Sequence, residues 1–229
     1  MPPRASSKSP AKSRPSAKSP STKTPSSVFL FVPNLIGYVR VILAFVGYGM
    51  AFTDYKITVG CYMLSQLLDA ADGYAARKLG QSSTFGAVLD MVTDRASTTC
   101  FCVVLAHFYP KYVLGLTALV TLDMFSHWFH MYASLLLGLG SHKTVTNPVL
   151  AFYYNKPILF LACAGTEMWY MCLFVLAHEI GPPVFGVPVV TALFYACSPI
   201  CAFKQLANVV QMAVACLALV DYDMKQRKK

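Results

Sequence analysis

Four aspartates with helical spacing lie in one stretch of this otherwise apolar chain. Asp69 and Asp72 are three positions apart, and Asp90 and Asp94 are four apart, so each pair lies on one face of a helix. Charges in or near a membrane are costly unless opposite charge neutralises them. Divalent cations such as Mg²⁺ prefer oxygen ligands, and the basic residue Arg77 lies between the two pairs. The pattern predicts a two-metal site for chemistry on a phosphate.

The composition indicates that membrane helices position these residues. The chain has 229 residues, of which 56% are hydrophobic and 13% charged, whereas soluble domains carry about twice that charged fraction. Apolar runs of about 20 residues recur, and each could cross a bilayer as a helix. A net charge of +9 could suit a nucleic-acid binder, but the basic residues concentrate in the tails without interleaved aromatic residues. That distribution argues against nucleic acid as a partner.

The hydrophobic pattern predicts an all-α fold with six spanning helices. The predicted spans are residues 35–52, 57–71, 86–109, 112–137, 158–178 and 199–220. Pro33 and Asn34 are expected to begin the first helix, with Asn34 as its N-cap, and Gly73 is expected to end the second. Ser198 and Pro199 are expected to break or kink the last apolar run, with an interfacial or re-entrant piece before the sixth span.

The basic residues predict how the chain is oriented. Residues 1–26 are predicted to be a disordered basic tail, 27–224 the membrane catalytic domain, and 225–229 a short basic tail. Six spans put both tails and the Arg77 connection on the same side, which the excess of positive charge predicts to be the cytosol. The motif aspartates would then lie near the cytosolic face. All eight cysteines lie in apolar runs without zinc-like spacing, which predicts free thiols.

The motif as a whole resembles the signature of the CDP-alcohol phosphotransferases, D-x2-D-G-x2-A-R-x8-G-x3-D-x3-D. Every fixed position is matched, by Asp69, Asp72, Gly73, Ala76, Arg77, Gly86, Asp90 and Asp94. The resemblance implies transfer of a phosphate from a CDP-linked donor to an alcohol, with release of CMP. It also implies that two divalent cations, Mg²⁺ or Mn²⁺, are held by the four aspartates, and that Asp94 is the general base.

The same resemblance implies which residues bind the donor and how the protein assembles. Gly73, Ala76 and Gly86 are small where the family lets the nucleotide approach the backbone. Arg77 supplies a planar cation that can pair with phosphate oxygens. Asn34 completes the predicted donor-binding set. The family also implies a homodimer.

A further resemblance, to the eukaryotic phosphatidylinositol synthases, covers nearly all of residues 28–220. It rests on four segments in that family's order: Pro33 to Arg40, Leu122 to Met131, Ser141-His142-Lys143, and Asn147 to Leu150 with Tyr153-Tyr154. It implies CDP-diacylglycerol as the donor, myo-inositol as the acceptor and phosphatidylinositol as the product. It also implies a location in the endoplasmic reticulum membrane or the Golgi.

The acceptor site and the role of Arg40 stay open at this point. Asp123, His127 and His130 share one face of the fourth predicted helix and could bind a polyol, or could tie that helix to its neighbours. Lys204 could join them or extend to the interface. Arg40, inside the first predicted helix, could likewise extend to the interface or face the active site.

Two alternative functions also remain. One is transfer to glycerol 3-phosphate or serine, although a glycerol-phosphate acceptor should require additional cations. The other is transport of divalent cations, which would predict acidic residues spread across the depth of the bilayer. The motif aspartates instead cluster toward one side.

Overall fold

Long α-helices make up most of the chain that the computed structural model describes, which comprises residues 25–138, 147–179, 181–184 and 187–228. The helices are α1 Pro25–Phe29, α2 Val32–Met50, α3 Tyr55–Lys78, α4 Thr84–Phe108, α5 Val113–Leu136, α6 Pro148–Tyr153, α7 Lys156–Leu176 and α8 Val189–Arg227. A 3-10 helix covers Pro110–Tyr112, and two short antiparallel strands, β1 Pro183–Val184 and β2 Val187–Pro188, connect α7 to α8. Residues 1–24 of the predicted disordered tail and the Ser141-His142-Lys143 segment lie outside the described residues.

Local capping fixes where the two motif helices begin. The Asp54 carboxylate accepts hydrogen bonds from the first free backbone N–H groups of α3, and Ser83 Oγ accepts one from the Gly86 N–H at the start of α4. These side chains satisfy donors that a helix leaves unpaired at its N-terminus. Between the two helices, Gly80 has a φ of +61°, a left-handed conformation that glycine adopts without strain. Short polar segments therefore set the positions of both aspartate pairs.

Three of the helices are long and apolar enough to cross a membrane by length and composition: Val32–Met50, Lys156–Leu176 and Val189–Arg227. Helices α3, α4 and α5 have 24, 25 and 24 residues and carry charged residues. At about 1.5 Å per residue, each of these is about 36 Å long, more than the ~30 Å hydrocarbon core of a bilayer. The described chain is thus almost wholly α-helical, as predicted, and its apolar helices indicate an integral membrane protein.

Helix α4 lies at the centre of the packing. It contacts α2 on one side and α5 and α7 on others, while α2 packs along α3 and α8 packs along both α5 and α7. In the core, the rings of Tyr62 and Phe101 stack with their centroids 4.4 Å apart, and Phe101 lies 5.4 Å from Phe174. Aromatic pairs at these distances contribute about 0.5–1.5 kcal/mol beyond the area they bury. This cluster joins α3, α4 and α7, and it fixes α4 relative to the other motif helix.

Two predictions about the motif region are wrong. Asn34 does not cap the first helix, because α2 begins at Val32 and the Asn34 side chain instead donates a hydrogen bond to Val28 O at 2.6 Å. Gly73 does not end the second helix, because α3 continues to Lys78 and carries Arg77 in its last turn. A glycine inside a helix costs only about 1 kcal/mol relative to alanine, which continuous backbone hydrogen bonding can offset.

The predicted break before the last span is also absent. Helix α8 runs without interruption from Val189 to Arg227 and contains Pro199. Next to the proline, Ser198 Oγ donates to Phe194 O at 2.8 Å and accepts from Trp169 Nε1 at 3.0 Å, which ties α8 to α7 at this level. Packing against neighbouring helices commonly allows a membrane helix to continue through a proline. With 39 residues, α8 is about 58 Å long and extends well beyond a bilayer core.

Candidate active site

The Arg40 guanidinium contacts all four motif aspartates. Its Nη1 lies 2.7 Å from Asp69 Oδ1, 2.9 Å from Asp72 Oδ2 and 3.0 Å from Asp90 Oδ1, and its Nη2 lies 2.5 Å from Asp94 Oδ1. The Arg40 side chain is only 1% exposed. Of the two roles considered for this residue, the structure therefore supports the one in which Arg40 faces the site.

Helix packing explains why one side chain reaches both aspartate pairs. Helix α2 packs against α3 and against α4, so a residue in its middle faces the carboxylates of both. The Ser65 hydroxyl of α3 donates to Arg40 O at 3.1 Å and ties the two backbones together at this level. The predicted convergence of two carboxylate pairs is confirmed, and a cation from a third helix lies at its centre.

The carboxylates fit a site for divalent cations. Asp69, Asp72 and Asp90 each present an oxygen, and these three oxygens lie within 4.8 Å of one another. One guanidinium can balance only one of the four carboxylates, so the cluster can accommodate the charge of further cations. The Asp90 side chain is 48% exposed and so can be reached from solvent. Carboxylate oxygens are ligands that Mg²⁺ and Mn²⁺ favour, so the chemistry of the donor set agrees with the prediction.

A cavity of about 150 Å³ opens beside this cluster. It is lined by Pro33, Asn34, Gly37, Asp72, Gly73, Ala76, Gln81, Ser82, Ser83, Gly86, Ala87, Leu89 and Asp90. A Cβ atom at Gly86 would lie 2.7 Å from Asn34 Oδ1 and 3.0 Å from Ser83 Oγ. Position 86 therefore favours glycine, because any larger residue would have to displace the Asn34 amide and the Ser83 hydroxyl at the cavity wall.

Four of the predicted donor-binding residues line this cavity: Asn34, Gly73, Ala76 and Gly86. The fifth, Arg77, is exposed at the end of α3, and its Nη1 would lie 3.4 Å from a Cβ at Gly73. Among the described residues, no hydrogen-bond or ion-pair partner of the Arg77 guanidinium is seen. It is thus available to a ligand at the edge of the cavity.

A second polar cluster surrounds Asp123, which is buried on α5. Arg95 Nη1 donates to Asp123 Oδ1 at 2.9 Å and to Oδ2 at 3.0 Å. Asn208 Nδ2 donates to the same Oδ1 at 3.3 Å, and Lys204 Nζ lies 3.7 Å from it. Helix α4 thus contributes one cation to this carboxylate and α8 contributes another. The structure brings together three of the four predicted acceptor residues here, namely Asp123, His127 and Lys204.

The two predicted histidines have different partners. His127 Nδ1 lies 2.8 Å from Asp123 O, which can only accept, and His127 Nε2 lies 3.2 Å from Arg95 Nη1, which can only donate. These contacts specify a neutral His127 with its proton on Nδ1. His130 lies one turn further and faces Tyr154, with its Nε2 3.5 Å from the hydroxyl. Burial raises the pKa of Tyr154 to about 12, and the protonated hydroxyl donates to Gln211 at 2.9 Å.

Sequence reasoning missed Arg95, Glu167 and Asn208. Arg95 links the two clusters, because its Nη2 lies 3.9 Å from Asp94 Oδ2 while its Nη1 binds Asp123. Glu167 accepts hydrogen bonds from Tyr62 at 2.7 Å and from Thr98 at 2.9 Å, and so holds α7 against both motif helices. The signal for Arg95 was available, since a charged residue inside a predicted span indicates function.

Comparison with known proteins identifies the family. The sequence profile of the CDP-alcohol phosphatidyltransferases matches residues 30–177. Three relatives carry the name CDP-diacylglycerol–inositol 3-phosphatidyltransferase. The Drosophila melanogaster protein is 40% identical over 203 residues, with 89% of this chain and 91% of that protein covered. The Schizosaccharomyces pombe protein is 44% identical, with 88% of this chain and 94% of that protein covered. The Homo sapiens protein is 40% identical, with 89% of this chain and 97% of that protein covered. No solved structure matches the chain. The chain belongs to the CDP-alcohol phosphatidyltransferase family.

Proposed function

We propose that the protein transfers the phosphatidyl group of CDP-diacylglycerol to myo-inositol, giving phosphatidylinositol and CMP. The observation that carries this proposal is the convergence of four motif carboxylates at the edge of a cavity lined by other motif residues. The substrates come from the names of the relatives, each of which is an inositol 3-phosphatidyltransferase of nearly the same length.

The donor nucleotide would occupy the cavity beside the cluster. Gly73 and Gly86 leave its walls without side chains, so a nucleotide can approach the backbone there. Asn34, whose amide lies against Gly86, offers a neutral hydrogen-bonding group. Arg77 would pair with the diphosphate at the cavity edge, where its planar guanidinium matches phosphate oxygens.

Two divalent cations, Mg²⁺ or Mn²⁺, would be held by Asp69, Asp72, Asp90 and Asp94. When bound, they would neutralise the donor diphosphate and stabilise charge that develops on the transferring phosphoryl group. The Arg40 guanidinium already attracts the same four carboxylates, and it keeps them directed to one point.

Asp94 would act as the general base. Its Oδ1 contacts Arg40, and its Oδ2, with Arg95 Nη2 at 3.9 Å, would accept the proton from the attacking hydroxyl. The inositol oxygen bonds to the phosphorus that carries diacylglycerol, and the phosphoanhydride bond to CMP breaks. The acceptor would bind on the side of Asp94 near Asp123, His127, His130 and Lys204, since Arg95 connects Asp94 to that cluster.

The membrane arrangement is part of the proposal. Helices α2, α3, α4, α5, α7 and α8 would be the six spans, since the three polar helices among them match a bilayer in length. The distribution of basic residues supports cytosolic termini and a cytosolic active site. We further propose a homodimer in the endoplasmic reticulum membrane or the Golgi.

The test is a parallel assay with purified enzyme, CDP-diacylglycerol and labelled inositol, serine or glycerol 3-phosphate. We expect lipid product and CMP release with inositol alone, full loss in EDTA and recovery with Mg²⁺ or Mn²⁺. Preferential labelling from serine or glycerol 3-phosphate would favour the alternative acceptors. Metal flux into vesicles without CMP release would favour a transporter instead.

A further inference from the structure

The two edges of the Arg95 guanidinium are in different environments. Nη1 is fully engaged, by both carboxylate oxygens of Asp123 and by His127. Nε is buried without a hydrogen-bond partner, and Nη2 has no hydrogen bond within the described residues, its nearest ionic contact being Asp94 Oδ2 at 3.9 Å. The N–H groups of Nε and Nη2 point the same way and form a planar fork suited to two adjacent oxygens.

The fork is held in place and directed toward the reaction centre. Asp123 of α5 fixes the opposite edge of the guanidinium, and Lys204 and Asn208 of α8 support that carboxylate. The Arg95 side chain is 13% exposed and its Nε is buried, so a ligand would reach the fork from the side of Nη2. The donor cavity is lined by neither Asp94 nor Arg95, which argues against the donor diphosphate as the ligand.

Charge balance favours a neutral ligand. Arg95 lies between the Asp123 carboxylate at 2.9 Å and the Asp94 carboxylate at 3.9 Å, and Lys204 shares Asp123 at 3.7 Å, so two carboxylates face these two cations. A buried N–H without a partner is unfavourable, and a hydroxyl oxygen is enough to remove that cost. Two neighbouring hydroxyls of a ring would satisfy both N–H groups at once.

We propose that the Nε–Nη2 edge of Arg95 binds two adjacent hydroxyl oxygens of the polyol acceptor beside Asp94. The proposal rests on the proposed function, because it assumes that the acceptor is a polyol. It makes Arg95 a specificity-determining residue, since it would orient the ring and present a further hydroxyl to Asp94.

The first test compares Arg95→Lys with Arg77→Lys in the purified enzyme. Lysine at position 95 keeps the charge that pairs with Asp123 but has no planar fork. We expect the KM for inositol to rise about tenfold, equivalent to ~1.4 kcal/mol, with the KM for CDP-diacylglycerol nearly unchanged. The melting temperature should fall somewhat, because lysine cannot make both hydrogen bonds to Asp123. Arg77→Lys, at the donor cavity, should instead raise the KM for CDP-diacylglycerol and leave the KM for inositol nearly unchanged. An unchanged inositol KM in Arg95→Lys, or an equal rise in both constants, would overturn the proposal.

The second test uses inositols that each lack one hydroxyl. In the wild-type enzyme, removal of either of two adjacent hydroxyls should raise KM, and in Arg95→Lys those penalties should largely vanish. Identical penalties in both enzymes would overturn the proposal. If Arg95→Lys fails to fold, the measurements on the wild-type enzyme decide. A fork that binds two adjacent oxygens is contradicted if KM rises for none of the deoxy-inositols, or only for those that lack hydroxyls at non-adjacent positions. A wild-type enzyme that makes no lipid from inositol would instead refute the proposed function.

Discussion

Replacement of Arg40 by methionine tests the role of this arginine in the carboxylate cluster. Methionine fills similar space but removes the cation that contacts all four motif aspartates. Loss of one partner from a buried ion pair costs about 3–5 kcal/mol. The side chains of Asp69 and Asp90 are 39% and 48% exposed, so solvent screens part of the repulsion. We therefore expect Arg40→Met to reduce the free energy of unfolding by the lower end of this range, about 3 kcal/mol.

Thermal unfolding of purified protein measures this effect. For a domain of this size, about 3 kcal/mol corresponds to a fall of about 6–12 °C in melting temperature. The fall should be largest in EDTA, and Mg²⁺ should restore part of it, because divalent cations would replace the lost positive charge. The wild-type protein should respond less to Mg²⁺, since Arg40 already compensates part of the negative charge.

Lys225→Met is the matched control. Lys225 Nζ lies 2.8 Å from Asp221 Oδ2, a similar distance, but the lysine side chain is 73% exposed. Exposed pairs of this kind contribute little, so this substitution should leave the melting temperature unchanged. Equal melting temperatures for Arg40→Met and wild type in EDTA would refute the reasoning, and so would equal effects of the two substitutions.

Three further substitutions test other parts of the site. Asp94→Asn should retain donor binding and lose turnover, because a base acts in the chemical step; near-normal kcat would exclude Asp94 as the base. Gly86→Ala should raise the KM for CDP-diacylglycerol, since its Cβ would lie 2.7 Å from Asn34 Oδ1; an unchanged donor KM would count against the cavity as the donor site. Asp123→Asn should raise the KM for inositol about three- to tenfold, since it weakens the anchor of Arg95, and should lower the melting temperature as well, because Arg95 and Lys204 lose a buried carboxylate partner. A change in stability alone would indicate that Asp123 only ties helices together.

The convergence of the motif aspartates could be predicted because it depends on local spacing. Three- and four-residue intervals place each pair on one helical face whatever the rest of the fold does. The apolar runs likewise predicted the long helices, with ends within a few residues of those observed for α4 and α5. Capping by Ser83 was not predicted, although it sets the start of α4 at Thr84.

The partners of the buried charges could not be read from the sequence. Whether Arg40 faces lipid, the interface or the site depends on how α2 packs against α3 and α4. Asp123 was predicted as an acceptor residue from its helical face, but Arg95 and Lys204 come to it from helices far away in the chain. Tertiary packing also decides whether Pro199 breaks a helix, since Trp169 of α7 supports the neighbouring serine.

The most direct test of the central claim is a count of divalent cations bound by the four motif aspartates. Titration of the metal-stripped, purified protein with Mn²⁺, followed by electron paramagnetic resonance of the free ion, gives this number without any substrate. The account predicts two saturable sites per chain in the wild-type protein and loss of saturable binding when Asp72 and Asp90 are both replaced by asparagine. Wild-type protein that binds no Mn²⁺ saturably, or a doubly substituted protein that still binds two ions, would contradict it.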